Sequence, residues 1–336
     1  MTGITWTRFP RVGADVDARA WLTFQEKLGL APNTLLAYGR GLEDFFAFSA
    51  RAGVAPAAAA RDHIAAFVHD LRTRAAPGGR KGGAVGCGGG LANATMQQKL
   101  TAVRLFYDYL MEEGRRATNP VGRGRYTPGR AFGGKRERGL IPRFHRLPWV
   151  PTDDQWRAIL RAAREEPLRN RFMLALSYDA GLRREELCAL RTGDIDPAHR
   201  LLRIRAEVTK NRQERVVPYS EATEVLFVAY LRHRRTLDRT AEALFLSESR
   251  RNRAQPLSVW AWNKAVAGIA ARAAVPGFTP HTLRHLCLTD LARAGWDLHE
   301  IARFAGHRSL QSTLRYIHLS GRDLAAKLAA GMAGGC

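Results

Sequence analysis

Residues 201–218 read Leu-Leu-Arg-Ile-Arg-Ala-Glu-Val-Thr-Lys-Asn-Arg-Gln-Glu-Arg-Val-Val-Pro, and they stand apart from the rest of a 336-residue chain. Leu202, Ile204, Ala206 and Val208 alternate with polar residues, Lys210 to Gln213 turn the chain, and Arg215-Val216-Val217 brings it back. The pattern predicts a β-hairpin. Sequence on both sides runs at helical period instead, so the expected fold class is mainly α with a small β-sheet.

Working outward, Thr152-Asp153-Asp154-Gln155 has the form of a capping box and predicts a helix carrying Trp156, Ile159 and Leu160, where a second folding unit begins. A helix over about Leu168 to Ala180 should stop at Gly181, with a short one following from Arg183 to Leu190. After about Glu221 the chain is again helical, apart from the short apolar run Ala243 to Leu246. The first part, from about Ala18 to Glu113, reads as helices: Trp21, Leu22 and Phe24 open one, Leu35 to Phe48 carries another, Ile64, Phe67, Val68 and Leu71 stripe a third, and Asn93 to Met111 forms a fourth. Ala76 to Gly90 is too rich in glycine for a packed core and is expected to be a loop. Arg115 to Pro151 combines proline, glycine and arginine with little apolar period, which suits a basic linker lying along phosphates or simply in water. The expected division is 1–114, a helical unit; 115–150, the linker; and 151–336, a second unit.

With 46% hydrophobic residues the chain is too apolar for disorder and too long for one small core. Lys and Arg number 53 against 31 Asp and Glu, and a surplus of +22 repels itself unless a polyanion neutralises it. Nucleic acid is the leading partner; an anionic membrane surface and a generally basic proteome are the alternatives. Cys87, Cys188, Cys287 and Cys336 are scattered without C-x-x-C pairs, which indicates neither a zinc site nor a disulfide framework. No segment approaches the ~18 apolar residues of a membrane span, and Met1 to Val16 lacks a signal-peptide core, so the expected location is the cytoplasm.

Five positions draw attention one by one, and each also has an ordinary structural explanation. Around Gly306-His307-Arg308-Ser309-Leu310, a helix capped by Ser309 would bury Leu310, Leu314 and Ile317 and turn Tyr316 away from the core; most single tyrosines, however, are packing residues. Thr279-Pro280 caps a helix that places His281 and Arg284 one turn apart, able to meet one anion or merely to face water. Arg183 can be oriented by Glu186 at i+3, or be part of a charged helix start. Lys210 sits on a hairpin turn in a chain with seven lysines, where an ammonium can give up a proton and a guanidinium cannot; a solvated turn lysine is the plain alternative.

Taken in order, these residues resemble the tyrosine recombinase family of phage-integrase-like DNA strand-exchange enzymes. Gly181-Leu182-Arg183-Arg184-Glu185-Glu186-Leu187 is similar to the family's first box, and Lys210 ahead of Glu214-Arg215-Val216-Val217-Pro218 to its hairpin lysine. His281-Thr282-Leu283-Arg284-His285 and Gly306-His307 match its later boxes, and Tyr316 falls nine residues after His307. The resemblance implies an N-terminal helical core-binding (SAM-like) domain and a C-terminal α+β DNA breaking-rejoining catalytic domain. It implies that Tyr316 attacks the scissile phosphate to give a 3'-phosphotyrosyl bond, with no metal, ATP or other cofactor. Arg183 and Arg284 would bind the phosphate oxygens, Lys210 would protonate the leaving 5'-oxygen, His281 would help remove the phenol proton, and His307 would hydrogen-bond the phosphate. Glu186 is then a support for Arg183, and His285 structural.

The implied partners are double-stranded DNA at two recombination sites and further copies of the chain, a tetramer on DNA to which the segment Asp323 to Ala330 docks in trans, with room for an accessory recombinase or a bending protein. No membrane is involved, and the cytoplasmic enzyme sits on the nucleoid when bound. A catalytically silent DNA-binding relative, a relaxing enzyme of the type IB topoisomerase kind, and a basic RNA-binding protein are the alternatives.

Overall fold

The computed structural model describes residues 3–75, 90–122, 140–142 and 147–317, the side chains of Arg315 and Ile317 excepted. The glycine-rich stretch 76–89, most of the basic segment 115–150, Cys87, Cys336 and the amphipathic segment Asp323 to Ala330 lie outside the described residues. The chain divides into two compact units, Met1–His145 and Arg146–Cys336.

The first unit is helical because its apolar residues recur every third or fourth position. Helices α1 (Pro10–Ala14), α2 (Val16–Lys27), α3 (Pro32–Arg51), α4 (Arg61–Thr73) and α5 (Asn93–Glu112) bury Trp21, Phe45, Phe46, Phe67, Phe106 and Tyr107 against one another. The Phe45 and Phe67 rings meet edge to face with centroids 5.2 Å apart, a geometry worth roughly 1 kcal/mol beyond the area it buries. Two described stretches of the basic segment, 115–122 and 140–142, pack on this unit. Val121 and Ile141 are buried in its core. Asn119 donates to Asp108 Oδ1 at 2.7 Å, and Gln97 donates to the carbonyl of Ile141 at 3.0 Å.

In the second unit, Thr152 and Gln155 close the expected capping box at the start of α6 (Asp153–Ala163). Next come α7 (Leu168–Asp179), α8 (Arg184–Cys188), a three-stranded antiparallel sheet of β1 (Ile195–Asp196), β2 (Leu201–Ile204) and β3 (Arg215–Pro218), then α9 (Glu221–Leu237), α10 (Val259–Arg272), α11 (Pro280–Arg293), α12 (Leu298–Ala305) and α13 (Gln311–Ile317). The core is built around Phe172, whose ring lies 5.4 to 5.8 Å from those of Phe227, Tyr230 and Phe245. Among the described residues no helix is long and apolar enough to cross a membrane.

Three local expectations need correction. The hairpin strand stops at Ile204, and Ala206–Val208 winds into a 3-10 turn. Arg205 is drawn to Asp194 at 3.0 Å, and the Thr209 hydroxyl bonds to the carbonyl of Ala206 at 3.0 Å, a backbone group that a longer ladder would have used. The helix after Arg183 ends at Cys188, because the carbonyl of Leu190 accepts from Leu244 N at 2.8 Å, pairing this stretch with the 243–246 segment. The third correction concerns Tyr316.

Candidate active site

Strand β3 sets the first half of the site. In the register, Leu202 faces Val217 and Ile204 faces Arg215. Because side chains alternate, Arg215 shares the inward face with buried Val217. Its guanidinium therefore enters the protein, where it meets Glu186 with contacts of 2.6 and 3.2 Å. Glu186 is 1% exposed. It also receives Arg183 N at 3.0 Å and Arg183 Nη1 at 2.7 Å, so Arg183, the residue just before α8, is fixed by the carboxylate three positions on. Burial alone would raise the Glu186 pKa, but the hydrogen bonds and charge of Arg215, helped by Arg183, bring it down to about 2.

The second half comes from α11, α12 and α13. Thr279 caps α11 and Pro280 occupies its first turn, as expected, so His281, Arg284 and His285 project from one side. Arg284 is 1% exposed. It donates through Nη1 to the carbonyl of Gly181 and through Nη2 to the carbonyl of Ala305 and to His307 Nε2, the last at 3.0 Å. Burial, then the nearby charge of Arg183, lowers its pKa to about 10, still far enough above neutrality to keep the guanidinium charged. The two carbonyls are presented by glycine-dependent turns: Gly181 and Gly306 adopt φ of 54° and 61° at the ends of α7 and α12.

His307 joins the two sides of the cluster. A guanidinium only donates, so His307 Nε2 must accept from Arg284, and the ring proton resides on Nδ1, which donates to Thr313 Oγ1 at 2.9 Å. Thr313 is fully buried on α13, and Tyr316, one turn later on the same face, is 6% exposed. The Tyr316 ring stacks parallel to His307, centroids 6.1 Å apart. Its hydroxyl is hydrogen-bonded to His285 Nδ1 at 2.9 Å.

Tyr316 is thus a core residue, contrary to the expectation from helical period. Leu310 and Leu314, expected inside, are each 38% exposed. The helix rotates this way because Thr313 and Tyr316 both find half-buried imidazole partners, and those polar anchors outweigh the burial of two leucines. The side chain of Ile317, the third member of the expected stripe, lies outside the described residues.

The other two candidates lie at the rim. His281 is exposed and touches His285 edge-on, centroids 4.4 Å apart. Partial burial, followed by the charges of Arg284 and Arg183, holds its pKa below the usual imidazole value. Lys210 stands exposed on the hairpin turn. That turn is tied to the cluster by its neighbour Asn211, which donates to the carbonyl of Gly306 at 2.9 Å.

Compared with known proteins, residues 150–322 match the phage integrase family. The chain belongs to this family of tyrosine recombinases. Residues 21–114 match the phage integrase N-terminal SAM-like domain, so the expected pairing of a SAM-like helical unit with a catalytic unit is met. The tyrosine recombinase XerC of Pelobacter propionicus is 33% identical over 304 residues, 89% of each chain. XerD of Caulobacter vibrioides is 31% identical over 306 residues, 88% of each. The fold is shared with the XerH site-specific recombinase bound to palindromic difH substrate, at a TM-score of 0.64 and 18% identity over 88% of this chain and 79% of that one. It is also shared with the Tn1549 transposon integrase in complex with transposon right end DNA, at a TM-score of 0.64 and 17% identity over 94% and 98%.

For this recombinase, the sequence by itself points to no role for Arg215 or Thr313 and to a structural one for His285. Each left a signal. Arg215 stands two residues before an apolar strand position, Thr313 one turn before the tyrosine, and His285 one turn after His281.

Proposed function

We propose that this tyrosine recombinase cuts and rejoins DNA at specific sites, with the Tyr316 hydroxyl as the nucleophile. One observation carries the assignment of Tyr316: its ring lies against His307, which is bonded to the buried Arg284 guanidinium. A phenol beside a fixed cationic donor set is what attack on a phosphodiester requires.

In this chemistry the Tyr316 oxygen bonds to the scissile phosphorus, the bond to the 5'-oxygen breaks, and a 3'-phosphotyrosyl ester holds the strand. Ester is exchanged for ester, so a 5'-hydroxyl of the partner strand rejoins by reverse attack without a nucleotide cofactor. Charge building on the non-bridging oxygens is met by Arg183 and Arg284, planar forks suited to phosphate, doing what metal ions do in other phosphoryl transfers. Arg183, Arg215 and Arg284 against Glu186 make three cations and one carboxylate, a surplus of two positive charges to receive a phosphodiester. A phosphate oxygen replaces His307 Nε2 as acceptor for Arg284, and His307, taking up a proton from solvent at Nε2 while Nδ1 still donates to Thr313, donates to the phosphate. Lys210, carried by the turn that Asn211 ties to Gly306, protonates the 5'-oxygen. Glu186 keeps Arg183 in place.

The partners are two duplex sites and further copies of the chain, as a tetramer on DNA, with the segment Asp323 to Ala330 docking on a neighbouring subunit. The helical unit 1–114 grips DNA, with 115–150 as its link to the catalytic unit 151–336, in the cytoplasm and on the nucleoid.

The test is a duplex nicked beside the cleavage position, which traps the ester. The wild type should yield covalent protein–DNA product on a denaturing gel and Tyr316→Phe none, with DNA binding retained. Binding without adduct in the wild type would leave a silent binder. Relaxation of supercoils without exchange between two sites would leave a relaxing enzyme.

A further inference from the structure

We infer that His285, not His281, is the base that takes the Tyr316 proton during cleavage and returns it during rejoining. The inference rests on the proposed cleavage chemistry and refines it. A general base must lie within about 2.6–3.2 Å of the atom it deprotonates. His285 Nδ1 lies 2.9 Å from the Tyr316 hydroxyl. The half-buried ring is held on the middle of α11 and lies 5.6 Å from the phenol ring, so the contact is between two fixed elements of the core. His281 sits one turn nearer the helix start, exposed, beside the charges of Arg284 and Arg183. That placement suits contact with the phosphate better than with a phenol buried behind His285.

The step balances. As Tyr316 Oη bonds to phosphorus and the bond to the 5'-oxygen breaks, the phenol proton passes to His285 Nδ1, and Lys210 supplies a proton to the departing oxygen. Rejoining reverses both transfers. His285 Nδ1 must then carry a lone pair in the resting enzyme, with the ring proton on Nε2.

His285→Asn isolates the role, because an amide oxygen near the position of Nδ1 accepts the phenol hydrogen bond but takes no proton. Single-turnover cleavage of the nicked duplex by the full-length chain should fall on the order of 10²-fold. A fluorinated, more acidic tyrosine at position 316 should recover much of that loss. A substrate with sulfur in place of the bridging 5'-oxygen, whose leaving group needs no proton, should restore Lys210→Ala and leave His285→Asn impaired.

Wild-type cleavage by His285→Asn, or its rescue by the sulfur substrate, overturns the inference, as does loss of the base function in His281→Asn alone. Should His285→Asn melt early, the imidazole titrations in the intact chain decide by NMR. Tyr316→Phe must shift that of His285 more than that of His281, and equal shifts count against the assignment. A wild type that forms no adduct removes the cleavage chemistry itself, whereas adduct formation unaffected by His285→Asn removes only the role of His285.

Discussion

Glu186→Gln tests the electrostatic centre of the catalytic unit. The carboxylate is 1% exposed and lies between Arg183 and Arg215, the latter 7% exposed. The amide keeps the shape and one acceptor but removes the charge, leaving a buried guanidinium uncompensated, which typically costs about 3–5 kcal/mol. A second route gives a similar magnitude: a carboxyl held at about 2 instead of its ordinary 4.5 corresponds to about 3 kcal/mol at neutral pH. For a unit of this size about 3 kcal/mol lowers the melting temperature on the order of 10 °C.

Charge and packing are separable by pH. A depressed folded-state pKa means that the stabilisation is fully present above the ordinary value of 4.5 and disappears as the pH falls towards about 2. Calorimetry of the full chain, following the transition of the catalytic unit, should therefore show a wide gap between wild type and Glu186→Gln at pH 7 that narrows progressively below pH 4.5. A gap of under about 2 °C at pH 7, less than roughly 1 kcal/mol, would refute the reasoning. So would a large gap that stays constant into acid, which would assign the loss to packing and not to charge.

Thr313→Val removes the acceptor for His307 Nδ1 while keeping the volume. Cleavage should fall roughly tenfold, in line with about 1–3 kcal/mol for an orphaned buried donor, and Thr313→Ser should restore it. Gly306→Ala combines φ of 61° with a Cβ 3.0 Å from Arg215 Nη1; thermal melts should show a loss of about 1–2 kcal/mol and a weakened Arg215–Glu186 pair. Asn211→Ala cuts the tie between the hairpin turn and Gly306. It should slow cleavage more than it lowers melting temperature, and the sulfur-bridged substrate should rescue it, since the loss falls on delivery of the Lys210 proton.

Much of the site was legible before any coordinates. The capping signals at Thr152 and at Thr279-Pro280, the helix stop at Gly181 and the Arg183–Glu186 pair all depend on residues at most four apart, and all hold in the structure. The order of the boxes identified the family. Helical period failed at Tyr316 because it scores each residue by polarity and so takes Leu310 and Leu314 for the buried face. It has no means of knowing that half-buried imidazoles from other segments meet Thr313 and Tyr316. The hairpin overran its strand for a similar reason, since the groups that end it, Asp194 and the carbonyl of Ala189, lie on another segment.

Sequence by itself determined the helical character, the small sheet, the residue types of the site and their order, because caps, turns and periodicity act over one or two turns of chain. Tertiary structure alone decided that Arg215 shares Glu186 with Arg183 across 29 residues, and that His285 meets the Tyr316 hydroxyl across 31. Such pairings depend on how helices and strands pack. Burial then makes an unpartnered charge or hydroxyl costly enough to rotate a helix towards its partners.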